Sequence, residues 1–350
     1  MRRAGPPWAF PFAGALDERV IDSETLTGNP LGDPHRRPLL VQLPPGYDAE
    51  TDRRYPTVYV LQGLTGQVDQ WLGRRPAAVP NTPEGVDALF ASGEAPPAIV
   101  VYVDAWTSLG GSQFIDSPGT GRYHTYLCEE VVPFVDAEYR TLPDAAHRAL
   151  AGHSSGGYGA MVNAMLRPDL FGAFATHAGD ALFEACYARE FGQAARALRD
   201  RYEGSFQRFW DEYRTRRDRA QPSDGVLVNL WCMAACYSTD PDGTVHLPFE
   251  PETGRLVPEV WERWLAWDPV RMVPARADAL RAMRAIWIDA GRSDEYFLDL
   301  AADAFRRELA AIGVTEPLVR FELHEGGHGG SAWRYPLAIA WLAERLTPRA

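Results

Sequence analysis

The pentad Gly152-His153-Ser154-Ser155-Gly156 follows an apolar run ending at Ala151 and opens a small-residue segment with helical spacing that runs through Leu166 and stops at Pro168. In a G-x-S-x-G pentad the glycines let a strand turn sharply into a helix, and the serine hydroxyl projects from the corner. Ser154 is therefore the candidate nucleophile. A serine hydroxyl alone is a weak nucleophile and needs a base within hydrogen-bond reach, oriented in turn by a carboxylate. In chains with this strand–turn–helix setting the order is serine, acid, histidine, the last two on loops after late strands. Asp294 in AGRSDEYF follows an apolar run that ends at Asp289, and His328 in HEGGHGGSAW follows one that ends at Leu323. Asp289 and Glu295 compete as acid, though a place at the strand end suits Asp289 to bracing a loop. His324 competes as base, but the glycines around His328 favour the latter. His153 reads as structural, because an elbow sends adjacent side chains in different directions.

A tetrahedral intermediate carries negative charge on the former carbonyl oxygen, which two backbone N–H groups stabilise. Ser155, the residue after the nucleophile, supplies one. The turn Gln62-Gly63-Leu64-Thr65-Gly66, after the apolar run Thr57 to Leu61, supplies the other, with Leu64 preferred to Gly63. A rival motif overlaps the histidine loop: His324-Glu325-Gly326-Gly327-His328 satisfies H-E-x-x-H, a zinc-hydrolase signature that needs both histidines on one helix face. Two central glycines, each costing about 1 kcal/mol against alanine, and two more immediately after make a helix expensive there. The expectation is a site with no metal.

Apolar runs rich in Val, Ile and Tyr must position these residues: Leu39 to Leu43, Thr57 to Leu61, Ile99 to Val103 and Ala149 to Ala151, with helical stretches at Val86 to Ala91 and Tyr123 to Tyr139 between them. Strands alternating with helices predict an α/β fold, a mostly parallel sheet covered on both faces, with ligand beyond the carboxyl ends of the strands. After a run from Ala173 to Ala178 the text becomes helical and Trp-rich from about Ala181 to Arg284, and Arg-rich in places, as over Ala194 to Arg219. Strand text resumes at Ala285 to Ile288, then come a helix from Leu298 to Ile312, a strand from Leu318 to Leu323 and a helix from about Ala332 to Leu346. The reading is one domain over 1–350 with a helical insertion at 181–284, a candidate lid. Trp231 and Trp264 are the insertion residues chosen to line the approach to Ser154.

All 35 basic residues are arginine, which removes Schiff-base lysines and Ser-Lys dyads from consideration. A net charge of −12 disfavours nucleic acid and anionic membranes as partners. No apolar run reaches the ~20 residues of a membrane span, and the opening MRRAGPPWAFPFAG lacks a continuous apolar region, so a cytoplasmic protein is expected. Cys128, Cys186, Cys232 and Cys236 miss the usual zinc spacings and read as buried thiols.

With these residues in view, the chain resembles the esterase D-type branch of the α/β-hydrolase superfamily, which includes enterobactin esterases, feruloyl esterases, S-formylglutathione hydrolases and mycolyltransferases. The resemblance runs through LPPGYD, RRYPTVYVLQGLTG, RYHTYLCEEVVPFVDAEYR, AGHSSGGYGAMVNAMLRPDLFGAFATHAG, IDAGRSDEYF and GGHGGSAWRYPLAIAWL, and leaves out the insertion. It implies an α/β-hydrolase fold, a serine carboxylester hydrolase acting on a small-molecule ester through Ser154, His328 and Asp294, and no cofactor. An acyltransferase using the same acyl-enzyme is the alternative, and a non-catalytic binding protein on the same fold a distant third. Where many relatives carry His-Gly at the oxyanion loop this chain has Gln62-Gly63. Neither the ester nor the oligomeric state follows from the sequence.

Overall fold

The computed structural model describes residues 10–73, 79–217 and 221–348. The first nine residues of the opening segment, and the Arg219 end of the helical, Arg-rich stretch over 194–219, lie outside them.

The strands in chain order are β1 (Ala15–Asp22), β2 (Arg36–Leu43), β3 (Thr57–Leu61), β4 (Ile99–Val103), the two-residue pair β5 (Asp116–Ser117) and β6 (Gly121–Arg122), then β7 (Arg148–His153), β8 (Ala173–His177), β9 (Ala285–Gly291) and β10 (Val319–His324). Eight of them form one sheet in the order β1-β2-β4-β3-β7-β8-β9-β10. The pairs β1–β2 and β2–β4 are antiparallel and all pairs from β4 to β10 are parallel. Every residue of β3, β4, β8 and β9 is buried, which is why these strands read as largely apolar runs rather than as alternation, with Thr176, His177 and Asp289 the polar residues toward the ends of β8 and β9. Alternate residues face opposite layers. Tyr59, Leu61, Val101, Leu150, Phe174 and Ile288 pack on one side, in a core shared with the helices between β8 and β9. Val58, Val60, Val100, Ala149, Ala175 and Trp287 face the helices Thr82–Ser92 and Arg334–Leu346 on the other. Alanines on this second face leave room for bulk, and the rings of Trp287 and Trp341 meet there edge-on at 5.6 Å.

β1 was not foreseen. Its ALDERVID sequence carries three consecutive charges and buries only Leu16 and Ile21, so it shows no apolar run, as suits an edge strand paired only to β2. The long stretch from Tyr123 is helical to Glu138, with a π-type segment at Tyr126–Val131. The helical, Arg-rich stretch over 194–219 falls in two helices, Ala188–Tyr202 and Phe206–Thr215. Glu203 and Gly204 both adopt positive φ, 51° and 73°, and Ser205 caps the second helix by accepting from the Arg208 amide at 3.2 Å. That local turn chemistry outweighs continuing helical propensity. Four of the insertion's other helices are Asp224–Tyr237, Pro258–Leu265, Pro269–Met272 and Ala277–Arg281.

Cross-strand register sets the ends of the parallel strands level: Leu61 pairs with Gly152, His153 with His177, His177 with Asp289, and Gly291 with His324. Leu61 also pairs with Val103, so six loops leave the sheet at one end, and five of them bear on the site. They carry Gln62 to Gly66, Ser154, Asp180, Asp294 and His328.

Candidate active site

Ser154 sits at the corner between β7 and the helix Ser155–Leu166 with φ 57° and ψ −128°, a conformation that costs a non-glycine residue of order 1–3 kcal/mol and persists only where its surroundings enforce it. Two backbone bonds do so here: the Ser154 amide donates to the His177 carbonyl at 3.0 Å, and the Tyr158 amide donates to the Ser154 carbonyl at 2.9 Å. The flanking glycines are needed because the chain closes on itself. A Cβ at position 152 would lie 2.1 Å from the Gly156 carbonyl oxygen, and one at position 156 would lie 2.2 Å from the Leu61 carbonyl oxygen.

The His328 Nε2 stands 3.0 Å from the Ser154 Oγ, and its Nδ1 lies 2.8 Å from Asp294 Oδ2. The Asp294 carboxylate is fully buried and also accepts, through Oδ1, from the amides of Tyr296 at 2.8 Å and Leu298 at 3.4 Å. Burial pushes this carboxyl up. The bond and charge of His328 with those amides outweigh it and hold the group below its usual range. The arrangement can relay a proton from the serine hydroxyl to an imidazole whose far nitrogen is fixed by a carboxylate.

The competing residues take other places. Asp289 is buried and accepts from His177 Nδ1 at 2.8 Å, Trp287 Nε1 at 2.5 Å and Arg334 Nε at 2.9 Å, so it ties strand ends to the last helix. Glu295 accepts the His328 amide at 2.7 Å and so holds the backbone of the histidine loop. His324 ends β10, with its Nδ1 3.0 Å from the Glu325 carbonyl and its ring 5.7 Å from that of Trp333. Residues 325–330 form no helix, and Gly326 has φ 129°, so the two histidines of the H-E-x-x-H text do not share a helix face. His153 donates its Nε2 proton to the His328 carbonyl at 2.9 Å, and the two rings lie 4.5 Å apart. Burial, then the neighbouring His328 and His177, lower its pKa to about 3, so it stays neutral.

In the Gln62–Gly66 turn the Gln62 side chain donates to the Gly66 carbonyl at 2.7 Å, and the Thr65 amide donates to the Gly110 carbonyl at 2.9 Å. Glutamine thus closes the turn from within. Neither the Leu64 nor the Ser155 amide has an acceptor among the described residues, and both residues line the cavity beside Ser154.

Two cavities meet at Ser154 and His328. One, of about 360 Å³, lies under the insertion, with Tyr187, Tyr213, Val228 and Asn229 on its wall. The other, of about 350 Å³, is walled by Gln70, Trp71, Asn81 and Tyr335 on the opposite side. Trp231 and Trp264, expected at the approach to Ser154, line neither. Trp264 is fully buried in the insertion's aromatic core, where its Nε1 donates to Ser238 Oγ at 2.8 Å and its ring meets that of Tyr187 edge-on at 5.7 Å. Trp231 stacks on Phe206 at 5.0 Å and faces a separate groove. Large rings at helical spacing packed inward, as apolar burial favours. The sequence reading missed Asp180, which lines the insertion-side cavity. Its position just past β8, at the ligand-binding end of a parallel sheet, was the available signal.

Comparison with known proteins bears on this geometry. A family model described as "Putative esterase" matches residues 34–342. An endo-1,4-beta-xylanase/feruloyl esterase of Xylanibacter ruminicola is 29% identical over 135 residues, 38% of this chain and 18% of that protein. The chain spans well under half the length of the curated relatives it matches. Among solved structures, a ferulic acid esterase superposes with a TM-score of 0.59 at 22% identity, covering 96% of this chain and 100% of that one. An S-formylglutathione hydrolase from Agrobacterium tumefaciens superposes at 0.56 with 18% identity, covering 97% and 98%. The sheet with helices on both faces is the α/β-hydrolase fold.

Proposed function

The chain belongs to this esterase family, and from that premise we propose that it is a serine carboxylester hydrolase working through Ser154, His328 and Asp294. One observation carries the reading: an unbroken line of hydrogen bonds, 3.0 Å then 2.8 Å, joins a serine held at positive φ to an imidazole and a buried carboxylate. Ser154 Oγ bonds to the ester carbonyl carbon while its proton passes to His328 Nε2. The carbonyl oxygen takes up the negative charge against the Leu64 and Ser155 amides. Collapse of the intermediate breaks the bond to the alcohol, which leaves with the proton from His328, and an acyl-enzyme remains. Water repeats the sequence in reverse, releasing the acid and restoring the serine. Asp294 stays ionised and keeps the imidazole in the tautomer that presents its lone pair to Ser154.

Two cavities of similar size meeting at the nucleophile suit a small-molecule ester whose acyl and alcohol halves are both substantial. The helical segment 181–284 forms the cover of one of them, and in this reading it selects the half that enters there. The test is Ser154→Ala, assayed on aryl esters of graded acyl length. Turnover should fall by several orders of magnitude while the thermal melt is retained, because members of such a unit act together. A folded variant keeping more than about a tenth of the activity overturns the assignment.

A further inference from the structure

Among the described residues the insertion-side cavity has no arginine on its wall, yet it carries two carboxylates, Asp180 and Asp224. Asp224 is ion-paired: its Oδ2 pairs with Arg216 and accepts the Gln221 amide at 3.1 Å, while its Oδ1 is buried without a partner among the described residues. Asp180 is different. It is buried, and one oxygen, Oδ2, accepts all three of its hydrogen bonds, from Tyr187 Oη at 2.8 Å, Gln113 Nε2 at 3.1 Å and Ser155 Oγ at 3.3 Å. The other oxygen, Oδ1, has no partner among the described residues, and Asp180 forms no ion pair among them.

A carboxylate held by neutral donors on one oxygen only keeps an open acceptor, and on the cavity wall that acceptor is available to a group that enters the cavity. Its bond to Ser155 puts it one residue from Ser154, beside the reacting carbonyl. Resting on the esterase reading above, we propose that Asp180 is a specificity-determining residue whose free oxygen accepts a hydrogen bond from a hydroxyl or ammonium group on the half of the ester that enters the insertion-side cavity. A charge-assisted bond of this kind is about twice as strong as a neutral one. The same charge, with no arginine on the wall among the described residues to offset it, turns away a carboxylate at that position. A purely structural Asp180, holding Tyr187 and Gln113 in place, would affect all esters alike.

The experiment compares kcat/KM of the full chain on matched esters bearing, near the carbonyl, a hydroxyl, its O-methyl ether, an ammonium or a carboxylate, first on the acyl half and then on the alcohol half. On one half the hydroxyl or ammonium ester should exceed the ether by about thirtyfold or more, because a site built to bond a donor rejects analogues that lack it. Which of the two leads identifies the donor, and the carboxylate ester should be the poorest. Asp180→Asn and Asp180→Ala should each cut the preference for donor over ether by about tenfold or more. Wild-type protein with no preference on either half overturns the proposal, as does an equal loss for donor and ether esters in the variants. The wild-type ether comparison decides the matter even if Asp180→Ala does not fold. If no ester is turned over and an organophosphonate fails to label Ser154, the esterase reading itself fails. Turnover abolished by Ser154→Ala but blind to the donor sinks only the role of Asp180.

Discussion

Acid should destabilise this molecule through one imidazole in particular. His153 packs on the His328 ring, spends its Nε2 proton on the His328 carbonyl at 2.9 Å, and is held neutral by burial with a pKa lowered to about 3. In the unfolded chain it titrates near 6.5. A base that binds fewer protons folded than unfolded contributes its full stability above the unfolded value and loses it as pH falls toward the folded one. At pH 5 the unfolded imidazole is protonated and the folded one is not, so the fold has lost about 2 kcal/mol, roughly 1.5 pH units at ~1.4 kcal/mol each. Because pH 5 lies well above the folded pKa, the unfolded titration alone sets this figure. Urea unfolding of wild type and His153→Gln at about pH 7.5 and pH 5 measures it, since glutamine can donate to the same carbonyl but does not titrate. Wild type should lose about 2 kcal/mol more than the variant over that interval. Equal losses, with unchanged m-values, would refute the reasoning.

Gly156→Ala places a Cβ 2.2 Å from the Leu61 carbonyl oxygen and 2.7 Å from that of Gln62, so a loss of about 3 kcal/mol or more is expected in a thermal melt; a melt near that of wild type would show that the elbow can relax. Asp294→Asn should lower kcat by about 10⁴, whereas Glu295→Gln, which only weakens the hold on the His328 amide, should cost about tenfold; comparable losses would reassign the acid. Trp264→Ala should cost about 3–5 kcal/mol of stability while leaving the kcat/KM ratio between long and short acyl esters nearly unmoved, since Trp264 is off the cavity wall. Tyr213→Ala, on that wall, should shift the same ratio by about tenfold.

Much of this was legible before any coordinates, and the reason is local. A sharp strand-to-helix turn demands glycine at 152 and 156 wherever the chain is placed, and strands buried on both faces must be apolar throughout, so β3, β4, β7, β8 and β9 announced themselves. Asp294 and His328 were readable because residues just past parallel strands face the same edge. The inner strands, and the loops that could bring a hydroxyl, an imidazole and a carboxylate together, can be read along the chain, whereas the charged edge strand β1 cannot. It took the packed fold to set Asp289 bracing the sheet and Asp294 facing His328, to turn Trp264 inward while Tyr187 and Tyr213 line a cavity, and to leave an oxygen of Asp180 open. Those outcomes turn on the level register of strands far apart in the chain and on which face of each inserted helix meets the sheet. Such contacts are fixed by competition among many apolar surfaces for one core, and no stretch of sequence records that competition on its own.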